Sequence, residues 1–197
     1  MHRLIRVLQA TDPELAAHGL RTARLAADVG QSLGLLPETV QLIQGAAQLH
    51  DIGKLVIPRE ILDKPGPLDA TEWAELQKHP ATGFDLVRHR VPIEVAKIVL
   101  THHERYDGSG YPNALSAGKI PFEARVLQVA DAFDAITSVR PYQDALSVGY
   151  AVGELTRCSG TQFDPDAVAA LVSLCENDTW LRGLGLSESR VANVVAV

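Results

Sequence analysis

Cysteine is nearly absent from this sequence: Cys158 and Cys175 are the only two. Neither sits in a CxxC pair or beside a histidine run, which argues against a disulfide framework and against thiolate zinc motifs. The plain reading is two small buried residues in a helical tail, in a reducing compartment. Aromatic residues are scarce at 5%, while Ala, Leu and Val abound, a balance that favours helices over sheets. No apolar run approaches the length of a membrane span. No charged segment followed by a long apolar core opens the chain. A protein that is cytoplasmic and not membrane-bound is expected. Positive charge is not in excess either: 18 Lys and Arg face 24 Asp and Glu, a formal net charge of −6. The basic footprint of a nucleic-acid-polymer binder is therefore not expected. A small anionic substrate stays open, because bound metal ions can invert the local sign.

What is present is enough for a substantial core: 197 residues, 46% of them apolar. Helical spacing dominates and the punctuation is short. Leu4–Leu8 is an apolar stretch with a basic flank. Thr11-Asp12-Pro13-Glu14 reads as a helix start, and the following helix stops near Gly34. Pro37-Glu38 opens a helix that runs into His50-Asp51. The segment from Ile57-Pro58 to Pro67 reads as loop. Asp69-Ala70-Thr71-Glu72 has the form of a capping box, and His79-Pro80 marks a helix boundary. Pro92–Leu100 reads as a helix delivering His102-His103, Tyr106–Pro121 as a glycine-rich ordered loop, and Pro121–Val139 as a helix. Two more helices are expected over Leu146–Leu155 and Pro165–Leu174. One helical bundle over residues 1–180 is expected, with 181–197 as an unassigned tail.

Seven histidines occur. His2 and His89 have no metal-like company and are expected on the surface. The other five fall beside carboxylates or beside each other. His50-Asp51 alone could be a polar helix end, but Gly53 would let a backbone approach closely and Lys54 would suit a phosphate. His102-His103 could be an exposed helix terminus, yet two consecutive histidines are costly to bury without partners. Glu14 and His18 share a helix face four residues apart, as two ligands or as a simple contact. Asp131 interrupts an apolar helical run and needs a partner, with Asp134 one turn on as the alternative. His79 alone would be an ordinary boundary histidine. Together these residues are too many for one tetrahedral ion, and imidazole with carboxylate suits two or three ions of the Fe, Mn or Zn type.

The order of these residues resembles a known family. His50-Asp51-Ile52-Gly53-Lys54 resembles the HD superfamily motif. His102-His103-Glu104-Arg105-Tyr106-Asp107-Gly108-Ser109-Gly110-Tyr111-Pro112 resembles the extended signature of its HD-GYP branch. The stretches Ala124–Ala135, Arg140-Pro141-Tyr142 and Gly160–Pro165 are similar to later landmarks, so the resemblance covers Pro13 to Leu174. It implies an all-α HD-domain bundle and a metal-dependent phosphodiesterase hydrolysing cyclic di-GMP to the linear dinucleotide, to GMP, or both. It implies two or three divalent ions, iron or manganese, held by His18, His50, Asp51, His79, His102, His103 and Asp131, with Glu14 matching a carboxylate that supports a third ion in some members. Lys54 matches a lysine near the substrate phosphate or the metals, Arg140 a phosphate-contacting arginine, and Tyr111 the tyrosine of the loop linked to diguanylate cyclase partners. Where the family often carries a lysine three residues after that arginine, this chain has Gln143, which bears on affinity more than on chemistry.

The expected chemistry is in-line attack by a hydroxide held between two ions, with Asp51 bridging and Lys54 and Arg140 offsetting phosphate charge. Asp51 and Lys54 are thus the expected catalytic residues, and Lys54, Arg140 and Tyr111 the expected substrate contacts. Three rivals stand beside it: an HD phosphohydrolase for another nucleotide, a non-catalytic cyclic di-GMP sensor or cyclase-docking module, and a helical protein with incidental histidines. A homodimer is compatible with all of them.

Overall fold

Side-chain caps and prolines set most of the described helix starts. The computed structural model describes residues 1–139 and 145–186, so Arg140 and Gln143 lie outside the described residues. α1 spans His2–Thr11 and α2 Pro13–Ser32, where Asp12 accepts the Leu15 N–H as N-cap and Pro13 fills the first turn. α3 (Pro37–Ala47) also opens on proline. After a 3₁₀ segment, Ile52–Val56, comes the single turn α4 (Arg59–Leu62). α5 (Ala70–Leu76) carries the capping box: Asp69 accepts from Thr71 and Glu72, and Glu72 reaches back to the Asp69 N–H. α6 (His79–Val87) and α7 (Ile93–Thr101) follow, then α8 (Phe122–Thr137). α9 (Val148–Arg157), α10 (Pro165–Cys175) and α11 (Asp178–Gly183) are the last of the described helices, α10 and α11 capped by Asp164 and Asn177. Among the described residues the only strand-like pairing is the bridge between Ser159 and Phe163, and no helix is long and apolar enough to cross a membrane. The expected all-α bundle is borne out.

The boundaries differ from the expected ones in informative places. Leu4–Leu8 belongs to a full helix, α1, because Leu8 is buried and Leu4 and Ile5 pack beside it against the core. Ile57–Pro67, expected as loop, contains α4. α3 stops at Ala47, so His50 and Asp51 sit in the turn after it rather than on its last residues. Position 180, expected as the end of the bundle, falls inside α11, where Leu181 is buried against the core.

Two apolar clusters share α2, α3 and α8. One joins Leu25, Val29, Ile43 and Phe133 to Leu155 of α9, Leu171 of α10 and Leu181 of α11. The other joins Leu8, Ala47, Leu49 and Ile52 to Val87 of α6, Val99 of α7 and Leu127 of α8. Phe133 is fully buried, and burial of such a side chain contributes roughly 1.5–3 kcal/mol. These clusters fix the helix ends that converge on the histidines.

One close approach holds the 3₁₀ segment against α6. A Cβ on Gly53 would lie 2.0 Å from the His79 carbonyl oxygen and 2.7 Å from the Gly83 nitrogen. Backbone cannot yield as a flexible side chain can. Gly53→Ala is expected to cost about 3 kcal/mol or more by overpacking, which lowers the melting temperature by roughly 6–12 °C in a domain of this size. Thermal unfolding followed by circular dichroism measures it; an unchanged melting temperature would contradict the packing described.

Candidate metal centre

Three of the five clustered histidines are oriented by the same device. The last carbonyls of a helix lack intrahelical partners. His50 Nδ1 lies 2.7 Å from the Ala47 oxygen at the end of α3, and His79 Nδ1 2.8 Å from the Leu76 oxygen at the end of α5. His102 Nδ1 lies 2.7 Å from the Val99 oxygen in the last turn of α7. A carbonyl only accepts, so each Nδ1 carries the proton and donates it, and each Nε2 presents a lone pair. Those lone pairs converge: His79 Nε2 and His102 Nε2 are 3.3 Å apart.

His18, on α2, is held differently. Asp134 Oδ2 accepts from its Nδ1 at 2.7 Å, and Arg21 donates to both Asp134 oxygens, Nε to Oδ1 at 2.8 Å and a terminal nitrogen to Oδ2 at 3.0 Å. The other ring nitrogen, His18 Nε2, lies 3.0 Å from Asp131 Oδ1. Asp131 and Asp134 lie one turn apart on α8 and therefore bracket one imidazole.

Asp51 occupies the centre. Its Oδ1 lies 3.3 Å from His79 Nε2 and 3.9 Å from His102 Nε2. Its Oδ2 lies 3.3 Å from His50 Nε2 and 3.9 Å from His18 Nε2. Two ligand groups result, Asp51 with His79, His102 and His103, and Asp51 with His18 and His50. Asp131 Oδ1 adds to the second at 3.6 Å from His50 Nε2. The shared carboxylate turns one oxygen to each group, the arrangement of a bridging ligand between two ions. Lys54 Nζ donates to Asp51 Oδ2 at 2.7 Å.

The electrostatics fit cations. His50 Nε2 and Asp51 Oδ1 are buried without a hydrogen-bond partner, a costly state for polar atoms unless a ligand satisfies them. Burial holds the His102 imidazole well below its usual range and, with His79 beside it, pushes His103 down to about 3. Both rings are therefore neutral, as an imidazole must be to bind a cation. Burial would raise the carboxyl of Asp51, but His50 and Lys54 outweigh it and hold the group ionised. Burial would lower His18, but Asp131 and Asp134 raise it to about 9. Against its burial, His50 is likewise raised by Asp51 and Asp131, so on this side an incoming cation takes the place of a proton, while on the other it meets the neutral rings of His102 and His103. With Asp51 and Asp131 ionised and orphaned atoms aimed inward, the donor set suits divalent cations.

The loop after α7 is built onto this cluster. Tyr111 stacks on His103 with ring centroids 4.9 Å apart and planes 28° from parallel, and its N–H donates to the His103 oxygen at 3.2 Å. Gly110 makes the approach possible, since a Cβ there would lie 2.2 Å from the Arg105 nitrogen and 2.5 Å from the His103 oxygen. The Glu104 carboxylate, buried at 1% exposure, accepts the N–H groups of Asn113 and Leu115 at 2.7 and 2.9 Å and so ties down the far side of the loop. Gly160–Pro165 acts as a brace: Tyr106 and Asp107 donate to the Gln162 and Thr161 carbonyls, and Arg105 donates to Gln162 Oε1 at 2.6 Å.

Of the residues singled out in the sequence, His18, His50, Asp51, His79, His102, His103 and Asp131 are brought together, with Lys54 and Tyr111 against them. Glu14 is exposed one turn before His18 and belongs to neither ligand group. His2 and His89 are exposed. Arg140 lies outside the described residues. Two contributors had gone without these roles: Asp134 with Arg21 as the clamp on His18, and Glu104 as the loop anchor. Their one sequence signal was a carboxylate inside or beside an apolar run.

The comparisons with known proteins agree with this geometry. A family model described as HD domain matches residues 3–167. The chain belongs to the HD-domain family, as its resemblance to HD-GYP proteins led us to expect. It is 42% identical over 175 residues to the cyclic di-GMP phosphodiesterase response regulator RpfG of Xanthomonas campestris, covering 87% of this chain and 46% of that protein. It is 39% identical over 175 residues to the 3′3′-cGAMP-specific phosphodiesterase 2 of Vibrio cholerae, covering 87% of this chain and 34% of that one. The chain thus spans less than half the length of these relatives. The crystal structure of a cyclic GMP-AMP specific phosphodiesterase of V. cholerae shares the fold, with a TM-score of 0.71 at 22% identity over 98% of this chain and 52% of that one.

Asp134→Ala frees a half-exposed Arg21 and leaves Nδ1 of the largely buried His18 without its acceptor; helical content is expected to survive, because the apolar cluster joining α2, α3 and α8 is untouched. Loss of a carboxylate that orients a metal-binding histidine costs about 10–100-fold in metal affinity. A chelator competition titration reads this, and undiminished affinity would contradict the clamp.

Proposed function

We propose that this chain is a metal-dependent phosphodiesterase that hydrolyses cyclic di-GMP. The observation that carries the reading is the pair of ligand groups sharing Asp51; the relatives named as cyclic dinucleotide phosphodiesterases supply the substrate class. On this reading His79, His102, His103 and Asp51 hold one ion and His18, His50, Asp131 and Asp51 the other; in a three-ion form the exposed Glu14 would support the third. Iron or manganese suits the imidazole–carboxylate mixture. When bound, such ions supply an activated water and Lewis-acid stabilisation of the phosphoryl oxygens.

The chain's own residues do the rest. Asp51 fixes the spacing of the two groups. Its ion pair with Lys54 places an ammonium beside the cluster, where it offsets phosphate charge; Arg140 is assigned the same task. Tyr111, stacked on His103, forms one wall beside the leaving group. The loop it sits on is available to a diguanylate cyclase-type partner, and the two free cysteines, Cys158 and Cys175, support a cytoplasmic setting.

The test is anaerobic purification with metal analysis, then turnover of cyclic di-GMP with iron or manganese added. The linear dinucleotide or GMP is expected, and Asp51→Ala should abolish turnover with helical content retained. Metal-loaded protein that binds cyclic di-GMP without cleaving it would overturn the enzyme in favour of a sensor. Cleavage of 3′3′-cGAMP in its place would overturn the substrate.

A further inference from the structure

Next to the ligand groups an aromatic wall rises toward solvent, and its outermost member has no part in the chemistry above. His103 stacks on Tyr111, and Tyr111 meets Trp73 at 6.5 Å between ring centroids with planes 76° apart. Trp73 lies on α5 and is 47% exposed. A lone exposed apolar side chain needs no explanation; this one is held perpendicular to a ring that touches a candidate metal ligand.

The helix under Trp73 is built to keep it in place. The capping box of Asp69 and Glu72 closes the N-terminus of α5, and Lys64 pairs with Glu72 at 2.5 Å. The last carbonyl of the same short helix, Leu76, accepts from His79 Nδ1. About two turns of helix therefore orient a candidate metal-binding imidazole just past their end and carry an exposed indole at their middle. Two perpendicular rings, Tyr111 and Trp73, make a corner beside the cluster where a flat group can stack on one ring and meet the edge of the other.

We propose that Trp73 is a nucleobase-stacking residue that binds one purine of the cyclic dinucleotide while its phosphodiester lies at the Asp51 cluster. The proposal rests on the phosphodiesterase reading for its substrate. Stacking recognises any base face, so Trp73 sets affinity for the purine ring and leaves the choice of guanine over adenine to other contacts.

The experiment compares wild type, Trp73→Ala and Trp73→Phe, each full-length and manganese-loaded. With cyclic di-GMP, Trp73→Ala should raise KM roughly 10- to 100-fold, the usual cost of a lost base stack, with kcat and metal content unchanged. Trp73→Phe should recover most of the loss. Titration with GMP should quench tryptophan fluorescence in wild type and not in Trp73→Phe, where Trp180 is the remaining indole. An unchanged KM in Trp73→Ala, or quenching that persists in Trp73→Phe, would overturn the proposal. Loss of bound metal in Trp73→Ala would also overturn it, since Trp73 would then merely support α5. If wild type fails to cleave cyclic di-GMP yet GMP quenches Trp73, the substrate reading falls and base stacking stands. If neither occurs, both fall.

Discussion

The centre of the structure is an unfavourable convergence of lone pairs and carboxylates that divalent cations would relieve. Imidazole lone pairs and carboxylate oxygens from five parts of the chain point into one buried volume, with His79 and His102 Nε2 only 3.3 Å apart and Asp51 Oδ1 lacking any hydrogen bond. Lone pairs directed at each other in a low-dielectric interior repel, and unpaired polar atoms there cost free energy. Divalent ions held there would convert each of these costs into a coordinate bond. Metal binding would then add to the stability of a bundle already held by its two apolar clusters, and Asp51 is common to both ligand groups.

The helices serve that convergence through their ends rather than their faces. α3, α5 and α7 each terminate near the centre and each lends a carbonyl to the Nδ1 of a histidine just beyond or at its end. The orphan acceptors of a helix C-terminus are satisfied, and the ring is turned so that Nε2 faces inward. α2 and α8 contribute side chains from their interiors instead, and there the orienting acceptor is the Asp134 carboxylate, itself held by Arg21. Two apolar clusters on either side of α2, α3 and α8 keep these elements at fixed separations. The loop bearing Tyr111 then covers the cluster on the His103 side, anchored by Glu104 and braced by Gln162.

Much of this was legible in the chain. Asp12-Pro13, Pro37 and the Asp69–Glu72 capping box marked helix starts because their chemistry is local. The gathered histidines were legible as an ordered pattern of imidazole and carboxylate. Less legible was anything set by tertiary contact. The i−3 carbonyl bonds depend on where α3, α5 and α7 end, which periodicity does not fix. Asp131 and Asp134 read as alternatives because both lie on one face of α8; the structure uses both, one on each nitrogen of His18. Glu14 shares a face with His18 yet stays exposed, since one turn of helix carries it out of the buried volume. Gly160–Pro165 matched the family pattern without lying at the centre, because its task is to brace the loop.

The most direct test of the shared carboxylate is the electron paramagnetic resonance spectrum of the manganese-loaded chain. Two ions bridged by Asp51, about 3.5–4 Å apart as in other two-metal sites, give the multiline signal of an exchange-coupled pair, and the spectrum should revert to isolated-ion lines in Asp51→Ala. Wild-type protein that shows only isolated manganese lines when fully loaded would contradict the account.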